Sequence, residues 1–191
     1  MVAVALVISV LIGVVGGVLL TKNKNLGELV IYLTSVLFTI PSIALYGFML
    51  PSLAKIGHGI GYVPAVIGVI VYSVAPILRN TYSALNDIDP NVREAAQGMG
   101  MSPYQRLVRV EMPIALPAII AGLRVSTVLS ISIVSIATYI GAGGLGDLIS
   151  RGISQSDLNQ VAVGALIISL MAICADLGLG LAQRKAALRG R

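Results

Sequence analysis

Five apolar runs, Val2 to Leu20, Leu29 to Leu50, Tyr62 to Leu78, Ala115 to Ile140 and Val161 to Leu181, leave this chain few ways to fold. A helix needs roughly 17 to 25 apolar residues to cross a hydrocarbon core about 30 Å thick, and each run meets that length, the third at the short end. In hydrocarbon every backbone donor and acceptor must be satisfied within the protein, so spanning segments are helices or closed barrels. A barrel requires alternating apolar and polar residues, and Val66 to Val71 (VIGVIV) does not alternate. The expectation is an all-α membrane protein of about five transmembrane helices, with residues 1–191 forming one domain. Pro41, Pro64, Pro76 and Pro117 predict kinks or helix ends within these runs, because each lacks a donor and crowds the preceding turn.

Composition agrees: 57% of the residues are hydrophobic and only 11% charged, about half the charged share of an average soluble domain. The net charge of +5 does not point to nucleic acid, since the basic residues sit in short segments between apolar runs and form no stripe with interleaved aromatics. Cys174, the single cysteine, lies inside an apolar run and excludes an internal disulfide or a cysteine-based metal site. Met1 to Leu20 reads as a span, not a signal peptide: it has no basic leader, its apolar run is too long, and Lys22 and Lys24 follow without a small-residue cleavage site.

Basic residues give an orientation. If the segment from Asp89 to Pro117 is cytoplasmic, then Lys22, Lys24, Arg79, Arg93, Arg106, Arg109, Arg184, Lys185, Arg189 and Arg191 lie inside, and Lys55 and Arg151 lie outside. The N-terminus is then external and the C-terminus cytoplasmic.

That same segment, DPNVREAAQGMGMSPYQRLVRVEMPIALP, is the longest polar interruption in the chain. Asp89 before Pro90 reads as an N-cap with proline at the first helical position, predicting a short helix to about Gly98, which Gly98 and Gly100 stop. Ser102, Pro103 and Gln105 read as a capping box opening a second short helix, to about Val110. Two short capped helices between spans, with Ala95, Ala96, Gly98 and Gly100 exposing backbone, make a docking knob within a loop bounded at 79–117.

Glu94–Ala95–Ala96, then Gly100, then Val110, Met112 and Pro113 resemble the EAA loop of the permease subunits of bacterial ABC importers. Val110 and Met112 replace the usual isoleucine and leucine and keep apolar character. Thr39 to Leu45 (TIPSIAL) and Ile140 to Gly146 (IGAGGLG) are similar to the osmoprotectant branch, the permeases for glycine betaine, carnitine and choline, within the methionine-importer-permease-like family. The resemblance implies a multi-pass protein of the bacterial cell membrane. It implies two copies of a separate ATPase subunit, an extracytoplasmic binding protein, a second permease that is identical or related, and membrane lipid as surroundings. Arg93, Glu94, Ala95, Ala96, Gly98, Gly100 and Pro113 would then couple the permease to the ATPase. No Walker A sequence occurs in this chain, so it is expected not to be an enzyme and to need no cofactor or metal.

Other residues carry weaker signals. Ser126 and Ser130 share a face of a hydroxyl-rich span and, with Pro41, are candidates for pathway lining or helix contact, with contact the favoured role for small polar residues in membranes. Arg124 and Asp176 are the charges most nearly within the spans and are expected to pair. Gly13, Gly16 and Gly17 read as helix contacts, and His58 as a solvated loop residue. Gly141, Gly143 and Gly146 spell G-x-G-x-x-G, but after a membrane span, not after a strand; a tight turn in which Gly144 and Gly146 adopt positive φ is the expectation.

Quaternary ammonium groups are best held by aromatic cages, yet the chain has no Trp and two Phe, so selection is expected to lie with the binding protein. Methionine or ergothioneine import by a sister branch is the alternative cargo. A secondary transporter would show coupling carboxylates or inverted repeats, and neither is evident. A membrane enzyme would need more than Asp87 and Asp89, which read as turn and cap residues.

Overall fold

A computed structural model describes residues 1–189, and no strand occurs among the described residues. In chain order α1 is Val2–Leu20, α2 Lys24–Leu37, α3 Ser42–Ala54, α4 Tyr62–Asn86 and α5 Pro90–Gly98. Then come α6 (Pro103–Arg106), a π turn (Leu107–Glu111), α7 (Met112–Ile136), a 3-10 turn (Ala137–Ile140), α8 (Gly146–Ser154) and α9 (Leu158–Arg189). Arg191, part of the charge argument, lies outside the described residues. Among the described residues four helices are long and apolar enough to cross a membrane, or five if α2 and α3 together make one crossing.

The centre is α4, which packs between α1 and α7 through small residues. Ala5, Ser9, Gly13 and Gly17 recur every four residues along α1, all buried. A Cβ on Gly13 would meet Ile77 Cβ at 2.8 Å, and one on Gly17 would meet Thr81 Cβ at 2.6 Å. On the other side Gly122, Ser126 and Ser130 repeat the spacing along α7, and a Cβ on Gly122 would meet the Pro76 carbonyl oxygen at 2.8 Å. Lipid supplies no hydrophobic force between helices, so such close backbone approach is what holds these pairs. These contacts make α1 parallel to α4, and α7 antiparallel to it. In turn α9 is antiparallel to α7 and lies on the outside: 6% of its most apolar stretch is buried, against 61% for α4.

The run Leu29 to Leu50 is not one kinked helix. It is split into α2 and α3, bent by 97°. Pro41 has no donor for the ladder, so the chain closes α2 with tight turns, Thr39 N to Val36 O at 3.0 Å and Ile40 N to Leu37 O at 3.2 Å. It restarts with Pro41 as the N-cap of α3, its carbonyl accepting from Ala44 N at 2.9 Å. The Tyr72 hydroxyl, from α4, donates to the Ile40 carbonyl left over at the break. Pro76 and Pro117, by contrast, sit inside continuous helices, and Pro64 lies in the first turn of α4.

Two boundaries also moved. Polar residues do not end α4 at Leu78, because Thr81 and Asn80 turn their side chains back onto the Ile77 and Pro76 carbonyls at 2.7 and 2.8 Å, and the helix runs on to Asn86. The second short helix of the polar loop is not separate: α6 continues through the π turn into α7. There the Met112 N–H reaches the Leu107 carbonyl, five residues back, so the ladder changes register immediately before Pro113 and the helix survives the proline.

At the far end Gly141, Gly143 and Gly144 adopt φ of 76°, 69° and 101° and form the expected turn. Gly146 does not have positive φ; it opens α8, an element the sequence did not announce, and its missing side chain lets the backbone lie against Ser135.

Candidate functional site

The polar segment is anchored to both helices that flank it. Asp89 caps α5, its carboxylate accepting from Asn91 N at 2.8 Å. After Gly98 the chain reverses at Gly100, whose φ of +76° is natural only for glycine. Ser102 and Gln105 form the reciprocal box that starts α6: Ser102 N donates to the Gln105 side chain at 2.9 Å, and Gln105 N to the Ser102 hydroxyl at 3.3 Å. Beneath α5, Leu85 and Ile88 pack with Ala115 and Ile119, with Val92 and Met112 alongside.

One acidic residue holds the arrangement together. Glu111, 7% exposed, lies in the π turn with Arg106 Nε at 2.9 Å and Arg93 Nε at 3.3 Å from the same carboxylate oxygen. Neither contact is an aligned hydrogen bond, so charge attraction carries them. Arg93 also donates to the Leu85 carbonyl in the last turn of α4. A carboxylate between two guanidiniums therefore links α5, the end of α4 and the start of α7. Sequence reasoning passed over Glu111: it stands five residues after Arg106 and two after Arg109, spacings that face neither arginine on an α-helix, and only the π turn brings Arg106 to it.

The candidate coupling residues thus divide by accessibility. Glu94, Ala95, Gly98 and Gly100 are exposed, and nothing stands within 4 Å of a Cβ built on Gly98 or Gly100. Ala96 is buried at 1% exposure and Arg93 is engaged inward with Glu111 and Leu85, so these two support the knob from beneath. Pro113 lies in the first turn of α7, beside the π turn.

Ser126 and Ser130 are fully buried between α4 and α7. The Ser126 hydroxyl donates to the Ser73 carbonyl at 2.6 Å, and the Ser130 and Ser73 hydroxyls lie 2.7 Å apart. Both serines are helix contacts here. Pro41 is exposed at the break between α2 and α3.

Arg124 and Asp176 form a two-pronged ion pair between α7 and α9, Nε to Oδ1 at 2.9 Å and Nη2 to Oδ2 at 2.7 Å. The remaining Nη1 donates to Gln183 Oε1 at 2.8 Å. Among the described residues no group of three or more His, Cys, Asp or Glu side chains converges to hold a metal ion.

Residues 7–187 match the family described as "Binding-protein-dependent transport system inner membrane component". The chain is 49% identical over 176 residues to the osmoprotectant import permease protein OsmW of Salmonella typhimurium, covering 92% of this chain and 82% of that protein. It is 36% identical over 187 residues to the glycine betaine/carnitine/choline transport system permease protein OpuCB of Bacillus subtilis, covering 98% and 84%. Its fold is similar to a chain of the MetNI methionine ABC transporter in an inward-facing crystal form, with a TM-score of 0.85 at 23% identity over 97% of this chain and 91% of that one. The chain therefore belongs to the binding-protein-dependent transport system inner membrane component family: it is a multi-pass inner-membrane permease subunit of an ABC importer.

Proposed function

We propose that this permease forms the path for a quaternary ammonium osmoprotectant, such as glycine betaine, carnitine or choline, and that a separate ATPase subunit drives its alternating access through α5. Likeness to the Salmonella typhimurium and Bacillus subtilis permeases supports the cargo class. The observation that carries the coupling is the Arg93–Glu111–Arg106 cluster, which makes the exposed knob rigid with both α4 and α7. A push on Glu94, Ala95 and Gly100 then moves two long helices as bodies instead of being lost in a soft loop.

The proposed orientation puts that knob in the cytoplasm and the N-terminus outside. In support, the parallel and antiparallel helix directions gather Lys22, Arg106, Arg109, Arg184 and Lys185 at the knob's end, with Lys55 and Arg151 at the other. Two ATPase subunits and a second permease, identical or related, complete the machine, because this chain's few spans do not by themselves enclose a path. An extracytoplasmic binding protein selects the cargo. Phe38 and Tyr72 meet edge to face with ring centres 5.8 Å apart and build no box around a cation.

The test is ATP hydrolysis by the purified complete transporter in nanodiscs, with binding protein loaded in turn with glycine betaine, carnitine, choline and methionine. Stimulation by the quaternary ammonium compounds is expected. Stimulation by methionine alone reassigns the cargo, and uptake that proceeds without nucleotide overturns the reading.

A further inference from the structure

At the knob's end of the bundle, α7 and α9 diverge and leave a groove of about 550 Å³. Met112, Pro113, Leu116 and Ile120 form one wall, and Ala182 with Ala186 the other; among the described residues Lys185 is the one polar side chain lining it. One turn beyond Ile120 along α7, Arg124 reaches across to Asp176 and Gln183. From Val108 in the π turn to Ile120 on α7 this wall rises roughly 18 Å at about 1.5 Å per residue, close to the depth of one leaflet of a bilayer whose core is about 30 Å.

Cations stand where such a groove meets the interface. Lys185 lies four residues past Leu181, the end of the last apolar run, and Arg109 follows Val108 on the facing wall. Both are exposed, and among the described residues neither has an ion-pair partner, whereas Arg93, Arg106 and Arg124 are all paired. Arg184, also exposed, adds to the charge.

We infer that this groove binds an anionic phospholipid, an acyl chain lying along Leu116 and Ile120 while Lys185 and Arg109 hold the phosphate. A dry apolar wall one leaflet deep fits a hydrocarbon chain, and an unpaired cation on a long stem at its edge fits a negatively charged headgroup. The zwitterionic headgroup of phosphatidylcholine has the same tail but offers no net charge to these residues. The inference rests on membrane embedding and on this geometry, not on the cargo or the coupling.

The experiment uses the complete transporter in nanodiscs and compares spin-labelled phosphatidylglycerol with spin-labelled phosphatidylcholine by the fraction immobilised on the protein. A preference for phosphatidylglycerol is expected. It falls about fivefold for each of Lys185→Gln and Arg109→Gln, the effect of one interfacial cation. Lys185→Arg keeps the preference, which separates lost charge from lost folding. Ala182→Phe fills the groove and displaces both labels, and Lys22→Gln, a cation elsewhere at the same end, changes nothing. Absence of any preference, or an equal drop in Lys22→Gln, overturns the site. So does a thiol label on Ala182→Cys, in a Cys174→Ser background, that a protein partner shields from lipid. ATP hydrolysis in the same samples reports on the proposed transport cycle independently.

Discussion

Arg106 and Glu111 stand 2.9 Å apart on successive turns of a helix that changes register between them. The π turn brings the carboxylate under the knob, where Arg93 approaches the same oxygen from α5. Two cations on one mostly buried anion are stable only while the anion is charged and in place.

Glu111→Gln removes that charge with little change in shape. It leaves Arg93 and Arg106 facing each other across a neutral amide, and the expected cost is about 1–3 kcal/mol. The melting temperature of the solubilised complex should fall by several degrees, and ATP-driven uptake should fall more than ATP hydrolysis, because on the proposed coupling a loosened knob would no longer move α4 and α7 together. Unchanged uptake per ATP would remove the lever from the mechanism.

Gly100→Val tests the reversal after α5. Left-handed backbone costs an ordinary residue roughly 1–2 kcal/mol, more when it is β-branched, so the knob should change shape while the spans remain folded. Hydrolysis without uptake is the expected outcome in reconstituted vesicles. Gly98→Ala is the companion: it places a methyl in open space on helical backbone, so coupling lost there reports a partner's close approach and not strain.

For Arg124 and Asp176, either Arg124→Asp or Asp176→Arg alone should lower the yield and thermal stability of the complex, each leaving like charges together near the bilayer. Combined reversal should recover part of the loss, since Gln183 can turn its amide to donate to a carboxylate at position 124. Two silent single variants would show that the pair contributes nothing to the α7–α9 seam.

Gly13→Leu should separate α1 from α4, because even the first carbon of a side chain would stand 2.8 Å from Ile77. Loss of monodisperse protein on size-exclusion chromatography is the readout. Gly47→Ala, where nothing lies within 4 Å, should leave the profile as it is.

Apolar length was enough to mark α1, α4, α7 and α9, because hydrocarbon solubility is a property of composition. Caps were equally legible: Asp89 and the Ser102–Gln105 pair act within three residues of themselves. What escaped was decided at longer range. Whether a proline breaks a helix depends on who takes the orphaned carbonyl, and nothing near Pro41 in the chain names Tyr72, thirty-two residues from Ile40. Continuity across Pro113 depends on a register change that no propensity encodes. Glu111 drew no reading at all, because Arg93 reaches it only when α5 folds back. The exposed and buried halves of the knob, Glu94 and Ala95 against Ala96, likewise follow from where α5 lands, not from its letters.

The break at Thr39–Pro41 has one more implication. With 14 and 13 residues, α2 and α3 rise only about 20 Å each, so neither alone traverses a hydrocarbon layer about 30 Å thick. Peptide groups exposed at their corner do not tolerate oil. The corner of α2 and α3, more than the smooth flank of α9, is therefore the side of this chain suited to moisture or to another polypeptide.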